Sequence, residues 1–335
     1  MFHTILVPLD GSARAERAIP VAAQLVRATG GTLILLHVAS FRVEYGPYLA
    51  HTPLYTVETE LAYAKDYLDH VVERHTMTDI QVCKEALPGI AAQTILAIVE
   101  RRHVDLLVLC SHGYTGIKRW ALGSVAQKIA RQSPVPVLVL REHSQKLMET
   151  SVDTARPVRA VVAVDGSPFA QAALAPAAYL VAALTPPQTQ GRLHLTHVLK
   201  TLTPQEERVY QQWGLDVDLQ AEALQTMRTA LQTVADETTN TLGAQLNIQI
   251  TWSVEESEDV AEALLNIAEL REEGEAFDLI VLATHGRGGF QRWMMGSVTE
   301  HVLEGSKLPL LIVRPQEPRT TAAQRERVEE EARSL

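Results

Sequence analysis

The chain has 335 residues, 46 % of them hydrophobic, which at roughly 100–200 residues per domain predicts two domains with buried cores. Its formal net charge of −10 repels phosphate backbones, so no nucleic-acid partner is expected, and no stretch nears the roughly 20 apolar residues that cross a membrane. Two cysteines, Cys83 and Cys110, exclude a disulfide framework and make the cytoplasm the expected compartment.

In chain order, Ile5-Leu6-Val7-Pro8-Leu9 is a continuous apolar run, the pattern of a strand buried on both faces of a parallel sheet. It starts so near Met1 that no signal peptide is expected. Asp10-Gly11-Ser12 follows, then a helix with Ile19, Ala22, Ala23 and Val26 on one face. Leu33–Val38 reads as the second strand, and Leu61, Ala64, Leu68 and Val71 as a helical stripe. A weak third strand falls near Ile80–Cys83, before a helix carrying Ala91, Ile95 and Ile98. Asp105–Cys110 is the fourth strand and leads into Ser111-His112-Gly113-Tyr114-Thr115-Gly116. Gly123-Ser124-Val125 opens a helix to Gln132, and Pro136–Arg141 is the fifth strand.

The same blocks then return in the same order. Val161–Ser167 repeats the first strand and its Asp-Gly-Ser loop, and Leu193–Val198 repeats the second strand. Leu224, Met227, Leu231 and Val234 restate the stripe, Ile248–Trp252 the weak strand, and Val260, Leu264 and Ile267 the next helix. Asp278–Gly286 repeats the fourth strand and loop, Arg292–Val298 the glycine-serine segment, and Pro309–Arg314 the last strand. The offset grows from 155 at Asp10/Asp165 to 173 at Gly123/Gly296, so the second copy carries extra residues, most of them after its second strand. The expected organisation is a first domain at 1–143, a linker at 144–157, a second domain at 158–316 and a charged tail at 317–335. Strands alternating with helices predict an α/β fold, a five-stranded doubly wound parallel sheet in each copy, whose ligands bind beyond the strand C-termini.

Two loops per copy sit at such ends. Ser12 and Ser167 read first as helix caps, with Pro168 at a first helical position. Asp10 and Asp165 read as functional: a carboxylate just before a glycine turn can accept from ribose hydroxyls or sit near a metal. In the second loop, nine residues separate Gly113 from Gly123-Ser124, and nine separate Gly286 from Gly296-Ser297. Glycine admits close backbone approach and positive φ, and the helix start beyond it offers free N–H groups to an anion. Capping plus a tight turn is the plainer alternative, but repetition after a buried strand favours phosphate. His112 and His285 are candidates for acid–base work or for holding the loop. Arg119 and Arg292 could reach phosphates or stay exposed, and Gly116 with Gly288-Gly289 suggests a lid. Cys110 could be a reactive thiol, but Ala283 in the other copy favours packing. No P-loop, Gly-x-Ser-x-Gly elbow or receiver-type acidic cluster is present.

Together, Asp10-Gly11-Ser12 and the Gly113 spacer to Gly123-Ser124 resemble the universal stress protein family, twice, over nearly the whole chain. The resemblance implies a Rossmann-like fold of the adenine nucleotide alpha-hydrolase type, with strand order 3-2-1-4-5. It implies adenosine contacts at Leu9, Asp10 and Val38, and at Val164, Asp165 and Val198. Phosphate contacts map to Gly113, Gly123, Ser124 and Val125, and to Gly286, Gly296, Ser297 and Val298. The motif's first glycine is Cys110 in one copy and Ala283 in the other, both small. ATP or AMP is the implied ligand, and a magnesium ion accompanying a triphosphate would fall to Asp10 or Asp165. The implied role is a non-enzymatic, nucleotide-binding regulator of the stress response. The last strands would pair within the chain, and the chain would dimerise again. A nucleotide-free dimeric interaction module and a slow ATPase are the alternatives.

Overall fold

The structure, a computed structural model, describes residues 2–39, 57–111, 122–141, 147, 156–212, 219–269, 276–284 and 295–315. The first copy runs β1 (Thr4–Leu9), α1 (Ala13–Glu16), α2 (Ala18–Thr29), β2 (Thr32–Ala39), α3 (Val57–Arg74), β3 (Gln81–Pro88), α4 (Ala91–Arg101), β4 (Leu106–Cys110), α5 (Ser124–Gln132) and β5 (Val137–Leu140). The second runs β6 (Arg159–Ala163), α6 (Pro168–Gln171), α7 (Leu174–Leu184), β7 (Gly191–Lys200), α8 (Pro204–Gln212) and α9 (Leu219–Thr238). It continues through a π-helical turn (Thr239–Gly243), α10 (Ala244–Leu246), β8 (Ile248–Ser257), α11 (Val260–Glu269), β9 (Leu279–Ala283), α12 (Ser297–Gly305) and β10 (Leu310–Val313).

The ten strands among the described residues lie in one sheet, in the order β3-β2-β1-β4-β5-β10-β9-β6-β7-β8. Within each copy every pairing is parallel. The seam is antiparallel, with Leu310 opposite Val139, Leu311 opposite Leu138 and Ile312 opposite Val137. The strand C-termini of the two copies therefore point to opposite ends of the sheet.

The apolar runs have a direct physical cause. Ile5 and Val7 enter the core on the α2 and α3 side, whereas Leu6 enters the opposite core with Leu107 and Ile129. Both faces exclude water, so the strands cannot alternate with polar residues. Each core continues across the seam: Leu138 and Leu311 share one, Val139 and Ile312 the other. At the opposite strand ends a repeated aspartate holds the register. Asp105 Oδ2 accepts from the His3 and Thr4 amides at 2.9 and 2.8 Å, and Asp278 Oδ2 from the Arg159 amide at 2.9 Å.

The third strands are longer than the sequence predicts, Gln81–Pro88 and Ile248–Ser257. Both are edges of the sheet. Outer residues such as Lys84 meet solvent, so polar residues interrupt the apolar run without ending the strand. Glu85 is itself buried, and the guanidinium groups of Arg101, the last residue of α4, and of Arg102 just beyond it hold its carboxylate.

Candidate functional site

The loop after β1 is an Asx turn that starts a helix. Asp10 Oδ1 accepts from the Ser12 amide at 3.0 Å and from Ser12 Oγ at 2.6 Å. Ser12 Oγ in turn accepts from the Ala15 amide at 3.2 Å and so caps α1. Gly11 between them has φ +86°, which a side chain would strain. The second copy reproduces this: Asp165 Oδ1 accepts from the Ser167 amide and Oγ at 2.9 and 2.6 Å, Ser167 caps α6, and Gly166 has φ +80°. The serines are caps, and each aspartate orders its own loop while facing the strand ends.

The helix starts at Ser124 and Ser297 are built differently. The N-cap is glycine, Gly123 or Gly296, and no side chain caps either helix. The serines stand one place inside, at the first helical position. Gly123 has φ −61° and ψ 148°, and Gly296 φ −62° and ψ 145°, so neither uses the positive φ that the sequence suggested. This is the extended conformation that any N-cap residue adopts. A Cβ on Gly296 would meet only the Thr284 carbonyl, at an ordinary 3.5 Å. Each glycine amide is anchored to the strand end, Gly123 to the Ser111 carbonyl at 2.7 Å and Gly296 to the Thr284 carbonyl at 2.8 Å. The next N–H groups lie in the first turn, where helices have no internal partners.

In the first copy these parts surround a cavity of about 380 Å³. It is lined by Leu9, Asp10, Val38, Cys110, Gly123, Ser124 and Val125, which are predicted site residues. Leu36, Ala91, Ile95, Leu109, Ala126 and Ile129 give it an apolar inner wall between α4 and α5. His37 and Glu60 add polar groups that the sequence reading did not single out. His37 does sit in a repeated block, matched by His197, which was the available signal. Glu60 comes from a helix distant in the chain and had none.

His37 packs edge-on against Tyr67, with ring centroids 5.4 Å apart. Burial lowers its pKa, and Asp10, the Leu9 carbonyl and Glu60 oppose that in part. Tyr67 donates to Glu16 at 3.1 Å, and Glu16, which is buried, also receives Arg74 at 3.1 Å and His75 at 3.3 Å. The α1 that follows the Asp10 loop is thereby tied to α3. Burial pushes the Cys110 thiol up to about 12, against a reactive thiolate and for packing.

In the second copy Val164, Asp165 and Ala283 lie at or just beyond the ends of β6 and β9, Val198 lies two residues before the end of β7, and Gly296, Ser297 and Val298 lie at the start of α12. Gly113 and Gly286 lie outside the described residues, as do His112, His285, Gly116, Gly288, Gly289, Arg119 and Arg292. Among the described residues no group of three or more His, Cys, Asp or Glu is placed to hold a metal ion, and no helix is long and apolar enough to cross a membrane.

Known proteins similar to this chain agree with one another. A universal stress protein of Mycolicibacterium smegmatis is 26 % identical over 326 residues, covering 93 % of this chain and 97 % of that one. Universal stress protein YxiE of Bacillus subtilis is 30 % identical over 157 residues, 42 % of this chain and all of that one. Among solved structures, a universal stress protein from Archaeoglobus fulgidus covers 94 % of this chain and 97 % of its own, at 20 % identity and a TM-score of 0.61, which shows the fold. The Universal stress protein family matches the sequence twice, over residues 1–141 and 158–314. The chain, with its duplicated sheet and duplicated strand-end loops, belongs to the universal stress protein family.

Proposed function

We propose that this protein is an adenine-nucleotide-binding regulator of the stress response, taking ATP or AMP in the cavity at the ends of β1, β2 and β4. The observation that carries the reading is the start of α5. A nine-residue helix opens on the cavity with a glycine N-cap and no side chain on its first amides. Those amides sit at the positive end of the helix dipole, where an anion is favoured. The rest of the cavity supplies what a nucleoside needs. Val38, Leu36 and neighbouring apolar groups suit the faces of a purine, and the Asp10 carboxylate suits ribose hydroxyls. The volume falls within the ordinary range for small-molecule sites, roughly 300–1,000 Å³.

The described carboxylates form no cation site alone, so a magnesium ion would depend on the nucleotide's own oxygens, with Asp10 the nearest protein candidate. We assign binding and no turnover, and a cytoplasmic setting in keeping with two free thiols. The pairing of β5 with β10 occupies the last-strand edge of both copies, so a homodimer of the whole chain would use another surface.

Native mass spectrometry of the purified protein, with ATP, AMP and GTP added in turn, tests this. Retention of ATP or AMP in preference to GTP is expected. No adenine nucleotide at millimolar concentration would overturn the proposal and leave the nucleotide-free interaction module.

A further inference from the structure

We propose that the two copies are functionally unequal: the first receives the nucleotide, and the matching cleft of the second is closed by its own side chains. The inference rests on the nucleotide reading above and adds which copy carries it.

Two alanines shape the cleft of the first copy. Ala91 opens α4 and Ala126 lies in the first turn of α5, and both line the cavity. Their short side chains leave the space between the two helices empty. The equivalent positions on α11 and α12 are Val260 and Thr299, both β-branched and larger. Thr299 is buried, and its Oγ donates to the Ala283 carbonyl at 2.9 Å, at the end of β9. The hydroxyl is thus committed to the strand end, and the side chain is bulkier than that of Ala126 at the matching place.

The surrounding positions follow suit. Val38 is partly buried at the cavity wall, whereas Val198 is 8 % exposed within the core that also holds Met295 and Leu282. His37 is half-buried at the cavity wall. His197 is 7 % exposed, with Nδ1 locked to the Val164 carbonyl at 2.7 Å. At these positions the second copy holds the larger or the more buried side chain, while keeping its Asp-Gly-Ser turn and its glycine-capped helix. Those two retained features order their own loops, and so they persist where no ligand binds.

The test is ATP stoichiometry on the whole chain, read by native mass spectrometry, with hydrogen exchange locating the site. One ATP per chain is expected, with protection of amides around 10–16 and none around 165–171. Two ATP per chain, or protection around 165–171, would overturn the inequality and leave the nucleotide reading standing. No ATP would overturn both. Transplanting the closing side chain by Ala126→Thr should weaken binding tenfold or more, and unchanged affinity in that variant would count against closure by this position.

Discussion

Replacing Gly123 by aspartate should separate folding from binding, because the two respond in opposite directions. The backbone at Gly123, φ −61° and ψ 148°, is ordinary N-cap geometry, so an aspartate fits without strain. Its matching position has room as well, since a Cβ on Gly296 finds its nearest neighbour at 3.5 Å. The new carboxylate would accept from the Val125 and Ala126 amides and complement the helix dipole. Against glycine, already a tolerable cap, this adds between zero and about 1 kcal/mol of stability. Those same amides are the proposed phosphate donors. Losing two hydrogen bonds to a charged group, at about 1.5–3 kcal/mol each, removes about 3–6 kcal/mol of binding free energy. At tenfold per about 1.4 kcal/mol, ATP affinity should drop at least about a hundredfold, with charge repulsion adding to the loss. Titration calorimetry with ATP and denaturant unfolding of the same preparation would measure both sides. A variant that is as stable as the parent and binds ATP within threefold of it would refute the placement of phosphates at α5.

Other expectations concern the groups beneath the site. Tyr67→Phe removes a donor to the buried Glu16 and leaves Arg74 and His75 in place, so unfolding free energy should fall by about 1–2 kcal/mol. Burial holds the folded pKa of His37 below its ordinary value of 6.5, so the unfolded chain gains its proton first as pH falls. Stability should therefore decline from about pH 6.5 downward until the folded pKa is reached, and His37→Gln should flatten that limb of a ΔG-versus-pH curve; an identical slope in both proteins would discount His37. With its thiol near 12, Cys110 is thiolate in roughly one molecule in ten thousand at pH 8, so native-state alkylation by iodoacetamide should be far slower than in urea. Leu311→Ala, at a fully buried seam position, should cost about 2–5 kcal/mol in denaturant unfolding.

Much of this architecture was legible in the residues because burial on both sheet faces leaves no alternative composition. Ile5–Leu9 and Leu106–Cys110 are continuous apolar runs for that reason, and the repeat supplied a second reading of each. The edge strands were less legible, since Lys84 and Glu85 satisfy themselves against Asp69 and against Arg101 and Arg102 rather than joining the core. Of the site, the residues at strand ends and helix starts were readable, because glycine and serine at those places have few other uses. The cavity's depth was not. It depends on Ala91 and Ala126, whose smallness means nothing until two helices are seen to face each other. The φ of Gly123 also escaped the sequence, since glycine is compatible with every backbone conformation and so specifies none.

The seam has a consequence for how such a chain can evolve. Arg131 on α5 pairs with Glu300 on α12. In a symmetric pair of identical subunits that contact would occur twice, but the mirror positions here are Gln127 and Glu304, which cannot form it. At this contact the two halves complement each other in charge, as two copies of either half would not. Because they are tethered, the halves meet at an effective concentration in the millimolar range, however dilute the protein. Assembly then no longer requires either half to remain self-complementary, and one can drift toward a supporting role without costing the other its partner.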